Sequence, residues 1–353
     1  MTLENALGAT RNSLNGMRLI LAVWVIVAHS WWLTGLGPGP AVAGGQLGSW
    51  AVVGFFGISG YLITLSRLRS RNVAAFFRAR FLRIVPGLVV CLMLIAFVMA
   101  PIGAFLGSGT YSTFDATAFV ANNLSLIGTQ LGNVPIGSTL ADVPGADEWN
   151  SPLWTLFWEV LCYALVGSLA LLKPELFRVA IAIFFGLAMG TLVFQVMAQG
   201  PTAGPWGKIL CPTATFLAGS VLCLFRSRVF LRGDIAMVAA ALLALSYSAD
   251  FFIAFCPLPL AYLILWFGSS PALHRIGSRY DISYGMYIYG WPVQQLLALA
   301  GVDALVPLGG FAVFSVLATA PLAWLSCVLI EGPAQRFGRR VFTPRFASAL
   351  ALA

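Results

Sequence analysis

The stretch Arg18-Leu-Ile-Leu-Ala-Val-Trp-Val-Ile-Val-Ala-His29-Ser30 sets one arginine and one histidine in an otherwise apolar run of membrane-spanning length. Residues eleven apart on an α-helix return to nearly the same face after about three turns, roughly 16 Å further along the axis. Arg18 and His29 therefore lie on one stripe. With Arg18 at one water interface, His29 falls near or just beyond the middle of a hydrocarbon layer about 30 Å thick. An ionisable side chain at that depth is costly to bury and marks a site or a pathway by default.

The rest of the chain has the same character. It has 353 residues, 59% of them hydrophobic and only 9% charged, which excludes a soluble globular domain. Long apolar runs between short polar joints predict an all-α fold, a polytopic transmembrane helical bundle, because helices satisfy their own backbone polar groups in lipid. The strict alternation of a membrane β-barrel is absent. The formal charge of +8 resides in arginines between the runs and does not point to nucleic acid. No small-residue cleavage site follows the first run, so it reads as a retained helix and not a signal peptide. The six cysteines fall in or at the ends of apolar runs without ligand spacing, and with two histidines in the chain no metal site is expected.

Windows long enough to cross a membrane fall at about 14–36, 46–65, 81–106, 152–172, 177–197, 209–225, 235–249, 251–268, 283–300 and 308–330, about ten spans within a single membrane-embedded domain covering 1–353. The seventh and eighth are short and interrupted by Asp250, Pro257 and Pro259. Of the 20 Lys and Arg residues, only Lys208 falls in an odd-numbered joint. By the bias of basic residues toward cytoplasmic loops, both termini are cytoplasmic. The longest joint, 107–151, is then extracytoplasmic; it carries Asp115, Asp142, Asp147 and Glu148, and its semi-apolar part, 116–132, reads as re-entrant or interfacial. A short basic cytoplasmic tail, 331–353, closes the chain.

Candidate chemistry centres on two buried ionisable residues. His29 suits a general base or a transient acyl acceptor near neutral pH, against the plainer reading of a satisfied histidine among packed helices. Glu159, in Trp154-Thr-Leu-Phe-Trp158-Glu159, counts to about the same depth as His29 and is a candidate to orient its imidazole, against a structural hydrogen-bonded acid. Among the arginines from Arg67 to Arg83, most need no role beyond orientation. Arg80 and Arg83, beside the third span, are the best candidates to hold an anionic cofactor's phosphates, because guanidinium forks match phosphate geometry. Tyr287, with Tyr284, Tyr289 and Trp291, opens the ninth span, and Tyr61 follows Ser59 and Gly60 in the second; both groups read equally as interface aromatics.

The motifs together resemble the integral-membrane acyltransferase 3 family over nearly the whole chain. Arg18 and His29 match its first-span pair, Phe55-Phe-Gly-Ile-Ser59-Gly60-Tyr61 its second-span signature, and Arg80-Phe-Leu-Arg83-Ile-Val-Pro86 the basic motif opening its third. Pro152-Leu-Trp154-Thr-Leu-Phe-Trp158-Glu159 is similar to its tryptophan and glutamate motif, and Ile282-Ser283-Tyr284-Gly285-Met286-Tyr287 and Glu331-Gly332-Pro333 resemble its closing motifs. Where many members carry histidine before Trp-Pro in the ninth span, this chain has Gly290.

The resemblance implies transfer of an acyl group, commonly acetyl from acetyl-CoA, to a hydroxyl of a cell-surface or lipid-linked carbohydrate, in a multi-pass cell membrane protein, the inner membrane in a bacterium. On this reading His29 and Glu159 are catalytic, Arg18, Arg80, Arg83 and Tyr287 hold the acyl-CoA, and Trp154, Trp158 and Tyr61 contact the acceptor. Membrane lipid is the remaining partner. Two other classes compete: a secondary transporter using His29 and Glu159 as a proton relay, and an envelope assembly protein in which they are a structural pair.

Overall fold

The computed structural model describes residues 1–8, 12–132, 134–144 and 148–342. Arg11, Asp147 and Arg345 lie outside the described residues, as do the side chains of Arg339 and Arg340 and the tail from 343 onward.

The chain is helical apart from a hairpin of two two-residue strands, β1 (Ala41–Val42) and β2 (Gly45–Gln46). Its long elements are α1 (Leu14–Leu33), α2 (Leu47–Arg69), α3 (Val73–Leu106), α4 (Thr113–Leu124), α5 (Trp154–Leu169), α6 (Pro174–Gln199), α7 (Gly207–Leu224), α8 (Gly233–Ser248), α9 (Pro257–Gly268), α10 (Ser283–Leu299) and α11 (Leu308–Gly338). Among the described residues, seven helices are long and apolar enough to cross a membrane, which makes this a multi-pass helical membrane protein. The last three windows without a full-length helix are α8 at 16 residues, α9 at 12 and α10 at 17. At about 1.5 Å per residue these reach only about 18–26 Å. In α9 the proline at the first helical position fixes the start, after the separate turn Phe252–Phe255.

Two helices run past their apolar windows. The side chain of Asn72 accepts a hydrogen bond from the Ala75 amide at 2.8 Å and so starts α3 eight residues before the window. Arg78, Arg80 and Arg83 are thus on a helix, not in a joint. The last helix continues beyond Ile330 through a π turn, Cys327–Glu331, into Gly332–Phe342. Glu331, read from sequence as the first residue of the tail, is 1% exposed and belongs to the packed bundle. The semi-apolar piece of the long joint forms α4, capped by Ser112; it buries Ala116 and Phe119 against α3 and is too short to span.

Contacts between joints sort them to two ends. At one end the Leu3 amide donates to Val229 O, the Ser13 amide to Gly268 O and Arg67 to Ala170 O. At the other, Ser108 donates to Asp142 and Trp291 to the Glu148 carbonyl. The first is the arginine end, and the second faces it across the length of α1.

The tightest helix pair is α2 with α7, and its cause is small residues. A Cβ on Gly60 would fall on the carbonyl oxygen of Phe216, and one on Gly219 on the carbonyl of Gly57. Ser220 then donates to Gly60 O at 3.2 Å. Small residues let backbones meet where apolar burial cannot drive association. Replacing Gly60 by Ala forces the helices apart despite Ala's better helix propensity. An overpacking cost of about 1–3 kcal/mol predicts a thermal unfolding midpoint several degrees lower in detergent. Gly190→Ala on α6, where nothing lies within 4 Å of the added methyl, serves as the control and holds or raises the midpoint.

Candidate active site

His29 sits near the far end of α1, half-buried, in the wall of a chamber of about 340 Å³. Trp32, Glu148, Trp154, Thr155, Lys208, Tyr287 and Trp291 are among the side chains that line it. The imidazole meets the Trp291 ring edge to face, with centroids 4.8 Å apart and planes at 77°. Trp291 is itself fixed, since its Nε1 donates to the Glu148 carbonyl at 2.6 Å. One turn further along α10, Gln294 donates to Ile26 O and to Ser30 Oγ, both at 3.0 Å, locking α10 to α1 just below His29. Among the described residues no carboxylate is hydrogen-bonded to His29. An aromatic wall and an open chamber leave it free to act on a bound hydroxyl.

Eleven residues back along α1, Arg18 anchors the opposite end. Its guanidinium meets Asp281 Oδ2 at 2.6 Å, and Arg83 meets the same oxygen at 2.7 Å. Arg83 also reaches Glu331 Oε2 at 3.4 Å, while Ser326 donates to Glu331 Oε1 at 3.1 Å. Ser283 donates to Asp281 Oδ1 through its hydroxyl (2.6 Å) and its amide (3.2 Å). Arg80 stands one turn before Arg83 with its Nε buried and without a hydrogen-bond partner. Three arginines against two carboxylates leave this end with an excess of positive charge, poised for an anion.

Between the two ends lies a crevice of about 40 Å³ lined by Arg18, Phe55, Ser59, Glu159, Tyr284 and Tyr287. It shares Val52, Thr155 and Tyr287 with the His29 chamber. The partition is a hydrogen bond, Thr155 Oγ1 to Tyr287 OH at 2.6 Å, and the tyrosine hydroxyl also donates to Pro152 O at 3.1 Å. The Tyr287 side chain thus stands between the Arg18 crevice and the His29 chamber.

The structure does not bring Glu159 to His29. Its carboxylate accepts from Ser59 Oγ at 3.0 Å and Tyr163 OH at 2.5 Å, and it lines the crevice on the Arg18 side. Equal counted depth is not contact: α5 packs on α2, α3, α6 and α7, whereas α1 packs on α2, α9, α10 and α11. Trp154 does line the chamber, but Trp158 turns to the long joint and donates to Gln130 Oε1 at 3.0 Å. Tyr61 is 1% exposed in the core against α7 and reaches neither cavity. Sequence reasoning passed over Asp281 and Glu331 as functional positions. Two acids among many arginines at one end were the available signal. Among the described residues no three His, Cys, Asp or Glu side chains converge as a metal site would require.

A bundle with a histidine chamber at one end and an arginine cluster at the other belongs to a definable class. Residues 11–330 match the family described as Acyltransferase domain, and the chain belongs to that family of acyltransferases. It is 30% identical to an O-acetyl transferase of Shigella phage Sf6, across 81% of this chain and 85% of the relative. It is 26% identical to Nodulation protein 10 of Rhizobium leguminosarum bv. viciae, across 96% and 97%. No solved structure matches the chain. Membership makes the protein an enzyme, and the transporter and assembly readings give way.

The ion network has its own test. Burial alone raises the Asp281 carboxyl, but Arg18, Arg83 and the Ser283 donors outweigh it and hold it at about 2. A pKa depressed in the fold below about 3.9 in the unfolded chain contributes stability above pH 4 that is lost as pH falls through 2. By linkage this amounts to about 2 kcal/mol. Asp281→Asn is therefore expected to lower the unfolding midpoint by a constant margin from pH 7 to about 4, and by a shrinking margin below that. Thermal melts in detergent across this range would reveal a different network if the margin grew on acidification.

Proposed function

We propose that the protein is a membrane O-acetyltransferase that takes its acyl group from acetyl-CoA at the arginine end and passes it to a carbohydrate hydroxyl in the His29 chamber. The observation that carries this reading is the pair of cavities meeting at Val52, Thr155 and Tyr287, with a cationic cluster below and a lone imidazole above. The name of the phage relative, an O-acetyl transferase, supports the choice of group and acceptor atom. The same charge asymmetry supports ten crossings with both termini and the arginine end in the cytoplasm, where acetyl-CoA is available, and the His29 chamber facing outward.

In this reaction Arg80, with its unpartnered Nε, and Arg18 and Arg83 hold the phosphates of CoA. The pantetheine arm rises through the crevice, and Tyr287 swings from Thr155 to let the thioester reach His29. The imidazole takes the proton of the acceptor hydroxyl as the oxygen attacks the thioester carbonyl. The tetrahedral intermediate expels the CoA sulfur, which receives that proton from His29 as the ester forms. A relay through an acyl-His29 balances equally, with the thiolate leaving first and the hydroxyl attacking second. Glu159, tied to Ser59 and Tyr163, acts from the donor side by balancing the arginine charge beside the arm, not by orienting His29. Trp291 holds the imidazole plane against the chamber.

Purified protein in nanodiscs with radiolabelled acetyl-CoA and a glycan acceptor tests the assignment. Replacing a general base costs about 10²–10⁴ in rate. His29→Gln is expected to abolish transfer to that extent with acetyl-CoA binding retained. Arg18→Gln is expected to raise the KM for acetyl-CoA at least tenfold. Full activity in either variant would sink the proposal.

A further inference from the structure

The chain's six cysteines take no part in the transfer reaction, yet the fold brings two of them together. Cys211 Sγ and Cys256 Sγ lie 3.6 Å apart, in contact, although the residues are 45 positions apart in the chain. Among the described residues no other two cysteine sulfurs meet. Cys91 donates to Ile288 O, Cys162 lies within α5, Cys223 stands at the far end of α7, and Cys327 opens the π turn that leads to Glu331.

Both members of the pair stand at the His29 end. Cys211 is about one turn past Lys208 on α7, and Lys208 lines the His29 chamber. Cys256 immediately precedes α9, whose other end, Gly268, accepts from the Ser13 amide at the arginine end. The two residues are 3% and 0% exposed, but Cys211 also lines a cavity of about 330 Å³ that adjoins the His29 chamber at Lys208 and Pro212. That cavity gives a reagent access to the pair from the His29 side. The contact also joins α7 to the shortest hairpin of the bundle. Its helices, α8 and α9, have only 16 and 12 residues, with the separate turn Phe252–Phe255 between them. Apolar burial does little to hold helices together in lipid, so a covalent tie at this point has a structural use.

We infer that Cys211 and Cys256 are joined by a disulfide in the membrane-inserted protein, formed from the His29 side by exchange with the disulfide of a thiol oxidoreductase. One cysteine thiolate attacks that disulfide, forming a mixed disulfide and releasing one oxidoreductase sulfur. The second cysteine attacks the mixed disulfide, closes the bond between Cys211 and Cys256, and releases the other sulfur. The two thiols lose two protons and two electrons, and the oxidoreductase leaves as a dithiol. From van der Waals contact, a covalent S–S bond of about 2.05 Å is within the reach of side-chain rotation. Disulfides form and persist outside the cytoplasm and are rare within it. The one contact between thiols lies at the end that the reading above turns outward, and the inference rests on that orientation, not on the transfer chemistry.

The test starts in cells of a bacterial host that carries a periplasmic thiol oxidase. They are quenched in acid and denatured with N-ethylmaleimide, and the full-length protein is digested without reductant. The expected product is one pair of linked peptides, from around Cys211 and Cys256, two hydrogens lighter than the free peptides together, with the other cysteines alkylated. In Cys211→Ser, Cys256 is expected to be alkylated instead. Reducing purified wild type with a phosphine is expected to lower its unfolding midpoint by about 5 °C and to leave that of Cys211→Ser unchanged. The oxidised and reduced wild type can be compared even if the variant fails to fold. Alkylation of both cysteines in wild type, or linkage of either to a different cysteine, would overturn the inference. Phe114→Cys, at an exposed position of α4 in the long joint, reports the orientation through a maleimide that does not cross membranes, applied to spheroplasts. Labelling from outside with Cys211 and Cys256 both free sinks the disulfide alone. Labelling only after the membrane is breached, with both thiols free, overturns the outward orientation and the disulfide with it.

Discussion

One carboxylate oxygen, Asp281 Oδ2, receives both Arg18 and Arg83, and through Arg83 the network extends to Glu331. Those four residues come from α1, α3, α11 and the joint before α10, so a single ionic knot gathers the arginine ends of those helices. Isolated charges at this depth would be untenable, and removing one partner of such a set leaves the others uncompensated. The knot also fixes the register of α1. With Arg18 held, the helix rise delivers His29 about 16 Å away, into the chamber and against Trp291. The stripe that opens the sequence is thus pinned at one end by charge and at the other by aromatic packing.

The second-span motif shows how one short segment serves packing and site together. Gly57 and Gly60 let α2 lie backbone to backbone on α7. Because α2 is drawn that close to α7, the opposite side of the same turns presents Ser59 to Glu159 and Phe55 to Tyr287, whose rings are 5.9 Å apart. A larger residue at Gly60 would therefore disturb the crevice as well as the core. Glu159 stays ordered where it is because Ser59 on one neighbour and Tyr163 on its own helix both donate to it, and hydrogen-bonded burial is the condition for a polar group to remain inside.

The helical membrane fold was legible in the sequence because hydrocarbon imposes it: apolar runs of sufficient length, with arginines in and beside alternate joints, admit few other readings. The long helices fall within a few residues of their windows, apart from the ends where charged residues extend α3 and α11. His29, Arg18, Trp154 and Tyr287, which line the two cavities, are legible as candidates because an ionisable or aromatic residue in an apolar helix stands out against its neighbours. Pairings were not legible. Glu159 was matched to His29 by depth, but lateral neighbours depend on which helices pack together, and one sequence does not encode that in any local pattern. Tyr61 and Trp158 line neither cavity for the same reason, since a helix position specifies height and azimuth but not what stands opposite. Asp281 and Glu331 lay beyond the window edges, where the apolar signal that guided the reading had ended.

Gly290 makes the dependence on packing concrete. A Cβ at this position would lie 2.7 Å from Ile26 Cγ1, so any larger residue here must displace the Ile26 side chain or the helix. This close approach lets Gln294 donate across to Ile26 O and Ser30 Oγ, and it carries the next residue, Trp291, into edge contact with His29. A histidine at 290 would force the Ile26 side chain or the helix to shift and would supply a second imidazole. With glycine there, this chain has one imidazole in the chamber, held by an indole that is itself held by the Glu148 carbonyl. On the proposed reading, the proton of the acceptor hydroxyl has one imidazole to travel to, and the packing of α1 against α10 decides how that ring is aimed.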